Sequence, residues 1–485
     1  MSPPLLPSQS SRSSRLPQLP RLPQPLGIKR YDTDGLAALL ASWGEPAYRT
    51  TQLLKWLYMR SVSDYAEMTD LPATLRARLA TDEPLVTPEV LRRQVSRDGT
   101  RKYLLRLADG ACVEAVGIPS DGWDEGRHAA AKGERDTVGD GGGGDEGGAS
   151  GSGGGAREGG ASAALPGTTD ARRGPAGSAP APAPNGAAPT ASHPLRLTVC
   201  FSTQVGCAMG CAFCATGTAG LTRSLAPGEM VDQVALVSRD FGARVTNAVA
   251  MGEGEPFANY EATLGALRIM NSPQGLGIGA RHLTVSTCGL LKPLRRFSLE
   301  PEQFTLAISL HSAVQATRDA LMPALAAAPL AALRTALASY GERTGRRPSL
   351  EFTLIAGVND TPTEVAALIA FARGMLCHVN LIPLNETKTA EGVRANGQAG
   401  AGDAAGDAQA KAGRETAEGV RASDPLVASG RSARDKRAGD PLVPSPPARR
   451  AEILAQLQEA GIECSLRRSR GADIASACGQ LKGTS

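Results

Sequence analysis

Short apolar segments alternate with longer amphipathic segments through the middle of the chain, and this alternation restricts the possible folds more than any other feature. Short apolar runs predict buried strands, whereas apolar residues spaced three and four apart predict helices. Strands and helices in alternation form a parallel sheet with right-handed crossovers, so we predict an α/β fold, a partial (β/α)6 barrel. The predicted strands are Leu197–Phe201, Ala248–Met251, Leu283–Thr287, Thr305–Leu310, Leu350–Ile355 and Val379–Pro383. The predicted helices are Pro227–Ser238, Tyr260–Met270, Pro329–Tyr340, Thr363–Arg373 and Arg449–Ala460.

The predicted barrel spans residues 193–385 and is flanked by segments with patterns of their own. Two runs, Arg101–Leu107 and Cys112–Ile118, predict a pair of strands leading into the barrel. Chemistry in such folds lies at the carboxyl ends of the parallel strands. The flanking segments are a small N-terminal helical domain over 31–95, the strand pair over 96–119, and a last helix and strand with a cysteine-containing tail over 446–485.

Two long stretches, 120–192 and 386–445, are rich in Gly, Ala, Ser and Pro and contain few large apolar residues. Such segments bury too little surface to offset the entropy of ordering, so we predict that both are disordered insertions. Residues 1–30 are predicted to be a disordered leader, with a short organelle transit peptide as the alternative. We expect a cytoplasmic protein, or one in an organelle stroma or matrix if the leader directs transport.

The composition excludes several classes of protein. No run of 18 or more apolar residues occurs, so no membrane contact is expected. Nine cysteines, an odd number, do not resemble a secreted disulfide framework. The net charge of +4 is mild, but 120–192 carries ten acidic and six basic residues, which leaves +8 for the rest of the chain. That excess is compatible with a polyanionic partner.

Three cysteines form a C-x3-C-x2-C motif, Cys207, Cys211 and Cys214, directly after a predicted strand. Three thiolates on one loop can hold a [4Fe–4S] cluster and leave one iron open to a small molecule. A zinc site that borrows Cys200 as a fourth ligand is the alternative. Cys112, Cys288, Cys377 and Cys464 have no partner spacing, and we predict that they are structural thiols.

The motif and its surroundings resemble a known family. An aromatic residue before the third cysteine is typical of the radical S-adenosylmethionine (SAM) superfamily. The stretches Cys200-Phe-Ser-Thr-Gln-Val-Gly-Cys207 and Cys214-Ala-Thr-Gly, and Ala-Cys478-Gly-Gln-Leu near the end, resemble the RlmN-type methyltransferases. That family methylates C2 of adenosine in 23S rRNA and tRNA. The resemblance runs from about Tyr31 to Lys482, outside the two insertions.

The resemblance implies a SAM site at the ends of several predicted strands. In Met251-Gly-Glu-Gly-Glu-Pro, Gly254 and Glu255 are expected to bind the SAM amino group, and Glu253 stands where the family often has Met. Polar residues at the ends of successive strands can converge on one mouth, as a ribose and an adenine require. The further implied SAM contacts are Ser286, Ser309, Leu310, His311 and Asn385.

The resemblance also implies the catalytic residues. Cys478 would accept a methyl group from one SAM, and a second SAM would yield the radical that activates it. Cys200 would then attack the Cys478 sulfur, and Glu114 would accept the C2 proton. The expected partners are the two RNAs, an electron donor and a thiol reductant, with the protein a monomer. Arg467, Arg468, Arg470, Lys55 and Arg60 are candidate phosphate contacts.

Other functions remain open on sequence alone. A relative that methylates C8 of adenine would share the cluster and both catalytic cysteines. A radical enzyme that modifies proteins would not need the pair of Cys200 and Cys478. A non-catalytic iron–sulfur protein that binds the ribosome would not cleave SAM after reduction.

Overall fold

A computed structural model describes residues 27–121, 123, 195–326, 328–385 and 442–482. The chain divides into two compact units, residues 1–121 with 196–485, and residues 122–195. Of the second unit, only 123 and 195 are described. Most of the predicted leader and nearly all of both predicted insertions therefore lie outside the described residues. No helix among the described residues is long and apolar enough to cross a membrane.

The N-terminal region is helical, as predicted, but its limits differ from 31–95. The region begins earlier, because Gly27–Arg30, which lies within the predicted leader, forms a 3-10 helix with Ile28 buried. The region ends earlier too, because Glu89–Val95 is a strand. Its α-helices are α1 (Thr33–Ser42), α2 (Tyr48–Leu54) and α3 (Ala73–Asp82), with α2 continuing as a π-helical turn over Lys55–Met59.

One sheet of ten strands forms the centre of the fold, in the order β1-β2-β3-β4-β7-β8-β9-β10-β11-β12. The first four strands pair antiparallel, and the strands from β4 onwards pair parallel. The strands of the antiparallel part are β1 (Glu89–Val95), β2 (Arg101–Arg106) and β3 (Cys112–Pro119). The parallel strands are β4 (Leu197–Cys200), β7 (Asn247–Ala250), β8 (Leu283–Thr287), β9 (Thr305–Ser309), β10 (Ser349–Leu354), β11 (His378–Pro383) and β12 (Cys464–Leu466).

The crossover helices have apolar faces that pack on the sheet, and Pro at an early position starts several of them because its fixed φ suits a first helical turn. A separate two-stranded sheet, β5 (Gln204–Gly206) with β6 (Leu221–Ser224), flanks the cysteine loop. The crossover helices are α4 (Pro227–Phe241), α5 (Tyr260–Asn271), α6 (Leu291–Phe297), α7 (Gln315–Leu321), α8 (Leu330–Thr344), α9 (Pro362–Ala372) and α10 (Pro447–Glu459).

The end of the second predicted insertion belongs to the folded structure. Pro444 forms an isolated bridge with Ile355, and the Ser445 hydroxyl, which is buried, donates to Asp360 at 2.7 Å. The predicted limit at 445 was therefore wrong by several residues. Proline and serine are frequent in loops, so composition does not reveal this packing.

A buried ion pair joins the N-terminal region to the barrel. Lys29 Nζ lies 2.6 Å from Asp232 Oδ1 on α4, and the two side chains are 4% and 9% exposed. Removing one member of such a pair leaves the other charge buried without a partner. We expect Lys29→Met to lower the free energy of unfolding by about 3–5 kcal/mol, measured by urea denaturation.

The control for this prediction is the exposed pair of Arg106 and Glu89, whose side chains are 50% and 58% exposed. Arg106→Met should change the free energy of unfolding by at most about 1 kcal/mol, because water already solvates both charges. Equal losses of unfolding free energy in Lys29→Met and Arg106→Met would contradict the claim that the buried pair stabilises the fold more than the exposed pair.

Candidate active site

The three cysteines of the C-x3-C-x2-C motif lie together on the loop that follows β5. Cys207, Cys211 and Cys214 line one cavity at the carboxyl ends of the parallel strands. The Cys214 N–H donates to the Cys211 carbonyl at 3.1 Å, and the Ala212 N–H donates to the Leu321 carbonyl at 2.9 Å. Burial raises the pKa of Cys207 and of Cys211 to about 12. Metal binding must therefore displace protons from these thiols.

The arrangement of these thiols suits a [4Fe–4S] cluster better than the alternative zinc site. Cys200, the fourth ligand of that alternative, lies on a smaller cavity and not with the three loop cysteines. Within the described ranges, no three or more His, Cys, Asp or Glu side chains converge on a position for a single ion. Three thiols around one cavity can instead each bind a different iron and leave the fourth iron open.

Gly254 and Glu255 follow β7 and lie on the wall of the same cavity. Gly254 has a φ of +100°, and a Cβ there would lie 2.6 Å from the side chain of Gln204, so only glycine fits. The Glu255 carboxylate accepts from the Thr287 hydroxyl at 2.6 Å and from the Cys288 N–H at 2.8 Å. Burial raises the pKa of Glu255, and these donors oppose the rise. A carboxylate fixed in this way can accept from the ammonium group of a ligand.

The strand-end residues expected to bind SAM meet at this cavity, with one exception. Ser286 on β8, Ser309 on β9, His311 and Asn385 all line it. The side chain of Leu310 is 0% exposed and packs into the core, so it is not among the lining residues. Its backbone N–H donates to the Glu351 carbonyl at 3.0 Å, so the structure does not bring Leu310 to the cavity.

His311 is held as a neutral imidazole. Its Nδ1 accepts from the Thr353 N–H at 3.1 Å, which places the proton on Nε2. Burial lowers the pKa of His311 to about 3, and the nearby Arg318 charge adds to the effect. Its ring meets Phe213 edge to face, with 4.5 Å between centroids. His311 can therefore donate one hydrogen bond into the cavity at any physiological pH.

The C-terminal tail brings Cys478 to the cavity through several hydrogen bonds. Asn385 Nδ2 donates to the Cys478 carbonyl at 3.1 Å. The Ala215 N–H, directly after the cysteine loop, donates to the carbonyl that follows Cys478 at 2.8 Å. The Thr216 hydroxyl donates to the Leu481 carbonyl at 2.7 Å. The tail is thus fixed both to the cysteine loop and to the end of β11.

Cys478 also lines a second, smaller cavity together with Cys200 and Arg467. Burial raises the pKa of Cys200 to about 12, the Cys478 sulfur adds to the rise, and the Arg467 guanidinium opposes it. Cys478 is accessible to solvent within the cavity, but desolvation by the walls raises its pKa and Arg467 again opposes the rise. Arg467 therefore faces the two cysteines. A contact of Arg467 with RNA phosphate stays a prediction.

Glu114 lies on the same face of the sheet as Cys200, because Val116, two residues further along β3, pairs with Cys200. Its Oε1 lies 2.9 Å from Lys102 Nζ, and its Oε2 accepts from the Lys482 N–H at 2.8 Å. Glu114 lines a groove that Asn385 also borders, next to the cavity of the cysteine loop. The structure therefore places Glu114 beside the site but not inside the cavity of the three cysteines.

Glu351 and Cys288 line the main cavity and were missed as site residues. Glu351 lies in β10 between apolar neighbours and is 5% exposed. A charged residue inside an otherwise apolar strand is the sequence signal that could have revealed it. Cys288, which the sequence predicts only as a structural thiol, has its Sγ 3.4 Å from the sulfur of Met209 in the cysteine loop.

Glu253 is a buried carboxyl group in a position where the family often has Met. It is 1% exposed, and its Oε1 accepts from the Glu114 N–H at 2.8 Å. A second bond of 3.4 Å runs from the Gly206 N–H to Oε2. Burial raises the pKa of Glu253 to about 7, and the charge of Glu114 adds to the rise. Glu253 thus links the backbone of β3 to the residue before Cys207.

Comparison with known proteins agrees with this geometry. The family model for the ribosomal RNA large subunit methyltransferase N-terminal domain matches residues 27–83, and that of the radical SAM superfamily matches residues 201–368. The dual-specificity RNA methyltransferase RlmN of Sorangium cellulosum is 36% identical over 452 residues, 92% of each chain. The probable RlmN of Symbiobacterium thermophilum is 37% identical over 353 residues, 72% of this chain and 76% of the relative.

A solved structure is similar over nearly the whole chain. It is a radical SAM methyltransferase from Sphaerobacter thermophilus, with a TM-score of 0.65 and 32% identity, and the match covers 95% of this chain and 100% of that one. The fold and the cysteine loop define a radical SAM enzyme, with a [4Fe–4S] cluster and SAM as its cofactors. Within that class, the chain belongs to the RlmN family of RNA methyltransferases. The predicted α/β fold class and the resemblance are both confirmed.

The glycine at 254 offers a direct test of the SAM site. Gly254→Ala should weaken SAM binding by about tenfold or more, because the new Cβ needs a backbone shift in the cavity wall. Calorimetry on the cluster-loaded protein measures the affinity. The control is Gly374→Ala, which has a positive φ of +72° but no neighbour within 4 Å, so it shares the strain without the clash. Equal SAM affinity in both variants would contradict this assignment.

Glu253 makes stability depend on pH. Its pKa is about 7 in the fold against an ordinary value of 4.5, so the stability that it contributes is complete below pH 4.5 and is lost as pH rises through 7. Between pH 5 and 8, the free energy of unfolding of wild type should fall by on the order of 3 kcal/mol relative to that of Glu253→Gln. Denaturation at each pH measures this difference.

An exposed residue supplies the control for this pH dependence. Glu342→Gln, on the surface of α8, should follow the wild-type curve of stability against pH. If wild type and Glu253→Gln have parallel curves, the buried carboxyl does not titrate in this range.

Proposed function

We propose that the protein methylates C2 of adenosine in 23S rRNA and tRNA, and that Cys478 carries the methyl carbon during the reaction. The observation that carries this proposal is the position of Cys478, which lines the cavity of the three loop cysteines and also the smaller cavity of Cys200. Adenine C2 has an unreactive C–H bond and is not a nucleophile. Simple methyl transfer from SAM is therefore insufficient, and a protein sulfur between SAM and the base provides a carrier.

The residues around the main cavity fit the two cofactors. Cys207, Cys211 and Cys214 would hold the cluster and would leave one iron open to SAM. When bound and reduced, the cluster supplies the electron that cleaves SAM to a carbon radical able to abstract hydrogen. The residues that would bind SAM are Gly254, Glu255, Ser286, Ser309, His311 and Asn385.

The two remaining cysteines would carry the methyl group and release it. Cys478 accepts a methyl group from a first SAM as a thiolate, and a second SAM is used to remove hydrogen from that group. Its carbon would then bond to adenine C2, and the electron that this addition leaves unpaired on the base would return to the oxidised cluster as Glu114 removes the C2 proton. Cys200 attacks the Cys478 sulfur, a disulfide forms, and the sulfur–carbon bond breaks with its electron pair left on carbon, which takes up a proton. Arg467 faces both sulfurs and favours their thiolate forms.

Glu114 would take the proton from C2. A carboxylate with donors on both oxygens keeps further lone pairs free, and Lys102 balances its charge at 2.9 Å. Glu114 shares a sheet face with Cys200, so the base and the attacking thiolate approach the substrate from the same wall. Proton removal and sulfur attack can therefore act on one bound adenine.

The groove beside Glu114 suits an RNA substrate. Arg92 and Arg450 both line it, together with Lys102 and Lys482. Guanidinium groups at a groove bind phosphate oxygens, and the target base must leave its stack to reach C2. We further propose that the enzyme works as a cytoplasmic monomer that needs an electron donor for the cluster and a thiol reductant for the disulfide.

The test is an anaerobic reaction of reconstituted enzyme with methyl-labelled SAM, a reductant and unmodified 23S rRNA fragment or tRNA. Nucleosides are then identified by mass spectrometry. We expect labelled 2-methyladenosine from wild type, none from Cys478→Ala, and none from Cys211→Ala. Cys464→Ala, in β12 and away from both cavities, is the matched control and should keep wild-type activity.

Other outcomes would redirect the proposal. Labelled 8-methyladenosine would assign the sister activity to the same machinery. Full activity in Cys478→Ala would exclude a sulfur carrier at this position. Cleavage of SAM without any RNA product would indicate a different substrate.

A further inference from the structure

Arg318 on α7 is a buried cation that the proposed reaction does not use. It is 1% exposed and is among the largest fully buried side chains of the described residues. Its Nη2 donates to the Cys288 carbonyl at 2.7 Å, and its Nε has no hydrogen-bond partner among the described residues. Arg318 is absent from the ion pairs found in the described part of the chain, although Asp319 follows it on the helix and acts on it electrostatically. Its guanidinium is therefore bound mainly by carbonyl oxygens.

An arginine in this environment costs stability. A guanidinium does not lose its proton in proteins, so the fold cannot remove the charge by titration. Backbone carbonyls satisfy some of its N–H groups but do not neutralise it, and a buried charge without an ionic partner is strongly unfavourable. A residue of this kind indicates that a negative group is expected nearby.

Besides Asp319, the groups that act on the charge of Arg318 are thiols in and beside the cysteine loop. The sulfurs of Cys288 and Cys211 both interact electrostatically with its charge. The helix that carries Arg318 also contacts the loop, because the carbonyl of Leu321 accepts from Ala212 N–H at 2.9 Å. The helix that carries Arg318 is thus joined to the cysteine loop, because Leu321 and Cys288 belong to one apolar cluster against which Met209 and Cys211 pack.

The charge of a loaded loop is negative. The negative charge of three thiolates exceeds the positive charge of an oxidised [4Fe–4S] core by one unit. One-electron reduction makes the loaded loop more negative by one further unit. A fixed positive charge at low dielectric stabilises the reduced state more than the oxidised state. Net charge around such a cluster is one of the factors that set its reduction potential.

We propose that Arg318 is the counter-charge of the cluster, a positioning residue that raises the reduction potential and helps the loop to retain iron. The inference depends on the cluster but not on which RNA base is methylated. The role of Arg318 can therefore be wrong while the proposed function is right, and the proposed function can be wrong while the role of Arg318 is right.

The experiment measures the reduction potential of the reconstituted holoenzyme by titration followed with electron paramagnetic resonance. Arg318→Met removes the charge at similar volume, and Arg318→Lys keeps it. At a fixed potential, Arg318→Met should shift the ratio of reduced to oxidised cluster by about tenfold towards oxidised, or ~59 mV for one electron. The reduction potential of Arg318→Lys should stay closer to that of wild type. Iron release to a chelator should be faster in Arg318→Met.

A matched control and the unloaded protein separate charge from packing. Arg334 on α8 also donates to backbone carbonyls, of Phe371 and Arg373, both at 2.9 Å, so Arg334→Met should leave the potential unchanged. In metal-free protein, Arg318→Met should unfold at the same temperature as wild type or higher, because it removes an unneutralised buried charge.

Several outcomes would overturn the proposal. An unchanged potential in a loaded, folded Arg318→Met variant would exclude an electrostatic role. Equal destabilisation of the metal-free and loaded forms would make Arg318 a packing residue only. If Arg318→Met loses iron and Arg318→Lys fails to restore it, shape and not charge determines loading, which also contradicts the proposal.

Discussion

The desolvation of charged groups at the carboxyl ends of the parallel strands is the constraint on which the site depends. Each buried carboxylate there must be met by donors, since burial without partners is too costly. Glu351 accepts from Ser349 at 2.6 Å and from Asn380 at 2.7 Å, which links β10 to β11. Glu255 links the end of β7 to the end of β8 in the same way. The polar network that lines the cavity is therefore also what holds the strand ends in register.

Much of the barrel could be predicted from the sequence because buried parallel strands are short apolar runs whose pattern is local. The strand at Glu89–Val95 could not be predicted, because nearly all of its residues are exposed and its pattern is polar. The sequence therefore predicts these residues as part of the helical region. The place of this strand in the sheet comes from pairing with β2, a contact that no local pattern contains. The packed end of the second predicted insertion also depends on contacts with distant residues, so a local pattern does not reveal it.

The site residues also fall into two groups: some could be predicted from local sequence, and others depend on pairing between distant strands. The cysteine loop could be predicted from spacing alone, and the resemblance supplied the residues at the strand ends. The relation between Glu114 and Cys200 depends on the antiparallel register of β3 with β4, which sequence does not state. From the sequence, Arg467 is only one member of a basic stretch, whereas its position beside two thiols is decided by the pairing of β12 with β11.

The tail that holds Cys478 has a consequence for the order in which the enzyme is made. Every partner that fixes it, in the cysteine loop, at the end of β11 and on β3, precedes it in the chain. During translation, the cysteine loop and the strands up to β11 are synthesised well before Cys478. Under the proposed reaction, a nascent chain that still lacks Cys478 has no acceptor for the methyl group, so the site becomes competent only after this part of the tail has been synthesised.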